Sequence, residues 1–124
     1  MTDRRMTFNR LIRRETERVD DPADKYLFDD SETVVVTSHE VTYEYIKDTY
    51  LSNTAHFYVQ RATIDDIYDK TVWGSLPLHL ACRAKRLIVV PIIRPSHLRD
   101  SMTYEDIELF ARDPVIYRVT QVND

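Results

Sequence analysis

The sequence predicts an α/β fold: one domain with a mainly parallel sheet of about five strands flanked by helices, preceded by a charged N-terminal helical extension. Three observations lead there. Short β-branched or apolar runs alternate with helical signals from Thr33 to the end of the chain, the pattern of strands joined through helices rather than through hairpins. One run, "RLIVVPI" (86–92), is apolar on successive residues, as expected of a strand covered on both faces. The length of 124 residues, without an apolar run long enough to cross a bilayer, fits one soluble domain with a modest core.

Each element has its own signal. Residues 4–18 are arginine-rich, with Phe8, Leu11, Ile12 and Val19 spaced so that a helix gathers them on one side. The acidic stretch "DDPADKYLFDDSE" (20–32) reads as a linker, which divides the chain into a charged extension (1–32) and a body (33–124). In the body, "TVVVT" (33–37) is a buried-strand run, and Ser38 with Glu40 offers a cap and an acidic first turn for a helix over 40–51. Tyr43, Ile46 and Tyr50 share one face of that helix. "AHFYVQRA" (55–62) is the second strand, and Thr63 with Asp66 forms a capping-box start for a short turn carrying Ile64 and Ile67. "TVW" (71–73) is the third strand, "LPLHLACRA" the following helix, and 86–92 the fourth strand. Thr103 with Asp106 repeats the cap ahead of "YEDIELFARD", whose Ile107 and Phe110 face inward and which Pro114 ends. "VIYRVTQV" (115–122) is the closing strand.

Composition excludes several functions. The net charge of −4 argues against a general nucleic-acid binder, which carries a basic surplus against phosphates. Cys82 is the only cysteine, so neither an internal disulfide nor a multi-cysteine metal site is available; it reads as a buried small side chain on a helix. The amino terminus lacks the apolar stretch of a secretory signal, which points to the cytoplasm. His39, His56, His79 and His97 are dispersed, with no zinc-hydrolase spacing. No metal and no cofactor is expected. Metal-free phosphodiester cleavage would draw on His39 or His79.

The single glycine of the chain, Gly74, falls where the third strand turns into a helix. Ser75 is a candidate N-cap and Pro77 suits the first helical turn. Free N–H groups at such a start attract phosphate, and glycine permits positive φ and close approach of a ligand or of another backbone. Arg61, Trp73 and the loop carrying Arg94, His97 and Arg99 would lie at the same carboxyl edge of a parallel sheet, where loops build sites. Guanidinium forks match phosphate oxygens, and an indole face stacks on a base or on arginine. Arg118 would join them from the closing strand or from a partner subunit.

The segments "VWGSLPLHLACRAK", "VPIIRPSHLRDSMTYEDIELFARDP" and "YRV" resemble the phage Thoeris anti-defence proteins of the first kind, and also a small family of CRISPR-associated proteins proposed as ring nucleases. In both, a strand ending near "VTRH" opens the domain, a "G-x-LP-x-x-LA" motif opens a helix, and a proline loop with "LRG" precedes the last helix. The resemblance covers about the last three quarters of the chain. Here Ser38 replaces the arginine before His39, and Asp100 replaces a glycine after Arg99; Arg13 and Arg14 of the extension are candidates to supply the missing charge.

The resemblance implies a cytoplasmic protein that sequesters a cyclic nucleotide immune signal, glycocyclic ADP-ribose or a cyclic oligonucleotide, without cleaving it. It also implies a homo-oligomer, a dimer or a dimer-based hexamer. The competing activity is ring opening of cyclic oligoadenylate. The ligand contacts it suggests are His39, Arg61, Trp73, Gly74, Ser75, Leu76, Pro77, Arg94, Arg99, Ser101 and Arg118.

Overall fold

A computed structural model describes residues 31–94 and 102–122. The arginine-rich extension with Arg13 and Arg14, and His97, Arg99, Asp100 and Ser101 of the proline loop, lie outside the described residues.

The body is the expected α/β arrangement. Strands β1 (Thr33–Val36), β2 (Phe57–Val59), β3 (Thr71–Gly74), β4 (Arg86–Val89) and β5 (Val115–Tyr117) form one sheet in the order β2-β1-β3-β4-β5. The first four are mutually parallel, and β5 runs antiparallel to β4. Helices α1 (Glu40–Tyr50), α2 (Ile64–Ile67), α3 (Leu78–Ala81) and α4 (Tyr104–Phe110) connect them. Several elements are shorter than the sequence suggests, since a β-branched run sets where a strand lies better than where its ladder stops.

Strand alternation divides the core in two. Val35, Trp73 and Ile88 are paired across β1, β3 and β4 and pack with Ile46, Tyr50, Leu51 and Val90 on the α1 side. Val34, Val36, Val72 and Leu87 point the other way, against Ile67 of α2 and Ala81 of α3. Period-two burial on every central strand is what fixes this register, because a one-residue slip would move each set to the wrong face.

Both capping boxes form. In α4 the Asp106 N–H donates to Thr103 Oγ1 at 3.1 Å, and the Thr103 N–H donates to the Asp106 carboxylate at 3.0 Å. In α2 the Asp66 carboxylate accepts both the Thr63 N–H, at 2.8 Å, and the Thr63 hydroxyl, at 3.0 Å. These two bonds hold the Asp66 carboxyl below its usual range, the backbone one contributing most.

Two local expectations are corrected, and one point that the sequence leaves open is decided. The N-cap of α1 is His39 rather than Ser38, and the Thr37 hydroxyl accepts the His39 N–H at 3.2 Å. Of the two isoleucines that the α2 turn carries, which the sequence does not rank, Ile67 takes the core position and Ile64 is exposed. Cys82 is half-buried at the C-cap of α3 rather than enclosed.

Candidate functional site at the carboxyl edge

The strand order creates one special position. From β1 the chain crosses to β2 on one side, and from β3 it crosses to β4 on the other, so the connections diverge between β1 and β3. In open α/β sheets a crevice opens at the carboxyl ends of the strands where this reversal occurs. Here those ends are Val36 and Gly74, which are register partners.

The floor of this position is tied by backbone. The Val36 carbonyl accepts the Ser75 N–H at 3.2 Å, and the Thr37 N–H donates to the Val59 carbonyl at 3.3 Å. The Thr37 carbonyl accepts the Tyr58 hydroxyl at 3.2 Å, while its own hydroxyl holds His39. Thr37 thus ties the end of β1 to β2 and to His39 through three bonds and is buried. A polar residue is stable there because its donors and acceptors are used.

Gly74 has φ of +122°, and a methyl group built on it would collide with the Val36 carbonyl, lying 2.9 Å from the carbonyl carbon. The close approach of the neighbouring strand therefore requires glycine here by itself. The phosphate-turn expectation changes accordingly. Ser75 is not an N-cap: α3 starts at Leu78 with Pro77 as N-cap, and the Ser75 N–H is already bonded to β1.

The remaining expected residues separate into three groups. His39, Ser75 and Pro77 are exposed, Leu76 is partly buried, and all four line the strand ends beside the β1–β3 position. Arg61 follows β2 and Arg94 follows β4, both exposed. Their strands stand three ladder spacings apart, roughly 14 Å. The chain approaching Arg94 is fastened by the Ile93 N–H to the Phe110 carbonyl at 3.0 Å and by the Arg112 N–H to the Pro91 carbonyl at 2.8 Å.

Trp73 and Arg118 leave the edge. Trp73 is 0% exposed, stacked on Tyr50 at 5.2 Å between centroids; it is a core residue with no face for a base. Arg118 follows Tyr117, the partner of Leu87, on a strand running opposite to the others. It therefore lies at the amino edge of the parallel strands and does not join Arg61 and Arg94 within one subunit.

A polar cluster beside the edge went unnoticed in the sequence. The Tyr43 and Tyr58 rings stack at 4.0 Å with an interplanar angle of 4°, and the Lys47 ammonium sits 5.7 Å from the Tyr43 centroid. His56 Nδ1 lies 2.8 Å from the Thr54 carbonyl and Nε2 lies 2.9 Å from the Tyr43 hydroxyl. A carbonyl only accepts, so Nδ1 carries a proton, and in the neutral ring Nε2 then accepts from the Tyr43 hydroxyl. Both ring nitrogens of His56 are thus engaged, and His79 lies on α3 in a groove of the opposite face. Among the described residues no cluster of three or more His, Cys, Asp or Glu could hold a metal ion, and no helix is long and apolar enough to cross a membrane.

Comparison with protein-family models, with curated proteins and with solved structures finds no match for this chain.

Proposed function

We propose that the protein captures a cyclic nucleotide at the carboxyl edge of its sheet and holds it without cleavage. In this reading it is a phage anti-defence sponge acting in the host cytoplasm on an immune signal such as glycocyclic ADP-ribose or a cyclic oligonucleotide. The observation that carries it is the coincidence of the diverging β1–β3 position with the "WGSLPLHLA" segment. The sequence motif that suggests the ligand class falls on the one place in this topology where ligands ordinarily collect.

The chemistry around that position suits a small anion. His39 and Ser75 offer polar atoms at the centre, and Arg61 and Arg94 stand on either side as planar cations for phosphate oxygens. Capture is favoured over ring opening because His56 is committed to Tyr43 and Thr54 and His79 lines a different surface. Of the three described histidines, only His39 stands at the edge. Arg118 contributes in this reading only across a subunit boundary, which is consistent with a homo-oligomer, a dimer or a dimer-based hexamer.

Incubation with labelled glycocyclic ADP-ribose and, separately, cyclic oligoadenylate, followed by denaturation, tests the reading. Intact ligand released from the protein is the expected result. Linear product would establish a ring nuclease, and absence of uptake of either compound would overturn the ligand class. Arg61→Gln and Arg94→Gln should each weaken capture by roughly ten- to a hundredfold, the value of one charge-assisted hydrogen bond.

A further inference from the structure

The sheet ends in two edge strands, and their outer sides differ. On β2 only Phe57 is exposed, while Tyr58 is stacked on Tyr43 and bonded to the Thr37 carbonyl. On β5 all three residues face water: Val115 is 40%, Ile116 45% and Tyr117 48% exposed. Because β5 pairs with β4 alone, no described strand lies on its outer side. An edge left bare is ordinarily interrupted by lysine, proline or an inward charge. None stands within Val115–Tyr117, although Pro114 precedes it.

The two ends of this strand carry opposite charge. Asp113 lies two residues before β5 and Arg118 directly after it, both exposed, and among the described residues neither has an ion-pair partner. Arg112, the other cation at the first end, is bonded to the Phe110 carbonyl at 3.2 Å. An identical strand laid parallel on this edge would set Arg118 beside its like. Laid antiparallel, it sets Arg118 at the Asp113 end, once at each end of the ladder.

We infer that the free edge of β5 is the seat of a second copy of this chain, joined antiparallel about a two-fold axis at Ile116 so that the two sheets become continuous. The register follows from symmetry. Opposite residues of a ladder share a face, so an axis normal to the sheet must pass between one residue and its own copy. Only Ile116, the middle residue, lets the whole of β5 pair, with Val115 facing Tyr117 of the partner subunit. Ile116, opposite Ile88 in β4, then meets its copy on the α1 face, and Val115 and Tyr117, opposite Val89 and Leu87, meet theirs on the other. One consequence concerns the candidate site. Since β5 runs from the carboxyl edge of the parallel strands to their amino edge, the reversed copy delivers Arg118 of the partner subunit to the carboxyl edge, two ladder spacings or roughly 10 Å from β4. Its use on a nucleotide rests on the capture proposed above; the interface does not.

Sedimentation of the ligand-free, full-length protein should show a dimer. Ile116→Lys sets like charges opposite each other at the axis and should weaken the dimer by about a hundredfold or more with the circular dichroism retained. Asp113→Arg and Arg118→Asp should each weaken it by about tenfold, and the combined variant should restore it. A parent that sediments as a monomer, or a dimer that Ile116→Lys leaves intact, would overturn the proposal, and a combined variant weaker than either single one would refute the antiparallel alignment. A second measurement needs no weakened dimer. In a Cys82→Ser background, Ile116→Cys should oxidise readily to a covalent dimer, because the two β-carbons would lie about 5 Å apart, whereas Phe57→Cys on β2 should not. Linkage through Phe57→Cys alone would place the contact on the other edge and equally overturn the proposal. None of these measurements uses a nucleotide, so failure of capture leaves them unaffected.

Discussion

The two faces of the sheet receive nearly the same apolar material and are closed differently. On one side Val35, Trp73 and Ile88 meet α1, on which α4 packs; on the other Val34, Val36, Val72 and Leu87 meet α2 and α3. The first pair of helices has 11 and 7 residues, the second 4 each. At 1.5 Å per residue, α1 runs about 16 Å and α3 only about 6 Å. The longer pair is further sealed by tyrosines with polar tips: Tyr104 donates to Asp48 at 2.9 Å and meets Tyr45 edge-on at 6.0 Å. The shorter pair leaves the groove. What separates a closed face from an open one here is the length of the cover, not the hydrophobicity of the strands.

The most severe way to break this division is to act on the backbone that both faces share. Gly74→Val would force a β-branched side chain into the Val36 carbonyl at positive φ, and should lose about 4 kcal/mol or more, or fail to fold, in urea denaturation. The loss should be in the fold itself, not confined to ligand capture. A Gly74→Val protein as stable as the parent would refute this packing of β1 on β3.

Next come neighbouring residues on opposite faces. Trp73→Ala should cost about 3–5 kcal/mol, and Val72→Ala about 1.5–3 kcal/mol. Their difference compares the aromatic side with the aliphatic one at adjacent points of one strand. Equal costs would mean that the two sides are closed equally well.

The paired caps sharpen the contrast at smaller scale. Thr103→Ala removes an oxygen that accepts the Asp106 N–H and should cost about 1 kcal/mol. In α2 the Thr63 hydroxyl donates to Asp66 instead, so Thr63→Ala, measured in the same way, should cost less.

The smallest effect is a pH dependence. Burial, reinforced by the hydrogen bond to Asp48, pushes the Tyr104 hydroxyl up to about 12. Between pH 10 and 12 the unfolded chain loses this proton before the folded one does, so the contribution of Tyr104 to stability is complete below pH 10 and falls as pH rises through that window. Tyr104→Phe should make the alkaline decline shallower, as read from melting temperature against pH.

Local chemistry made much of the fold legible. Each Thr-x-x-Asp sits within one turn of its helix, and the alternation of β1 through β4 is written in consecutive residues. What the sequence concealed depends on partners far along the chain. A strand of three or four residues does not announce how deeply its end lies, so Trp73 reads as a platform until Tyr50 is seen against it. Nothing in "VIYRVTQV" encodes the direction of β5 relative to β4, and that direction decides which edge Arg118 occupies. The His56–Tyr43 contact joins residues from two elements, and only the inward position of Tyr43 on α1 hinted at a partner. Gly74 is intermediate: its rarity marked the place, but which neighbour needed the space was decided by β1.

The chain's one tryptophan and one cysteine have fallen on opposite sides of the sheet. Trp73, enclosed against Tyr50, makes indole fluorescence an observer of the α1 side alone, and the thiol of Cys82 observes the α3 side alone. The native protein therefore carries two optical and chemical reporters, one per layer, without any engineered label. Coincident transitions of the two signals in denaturant would mean that both layers melt as one cooperative unit, and displaced transitions would resolve the looser layer as a separate unfolding step.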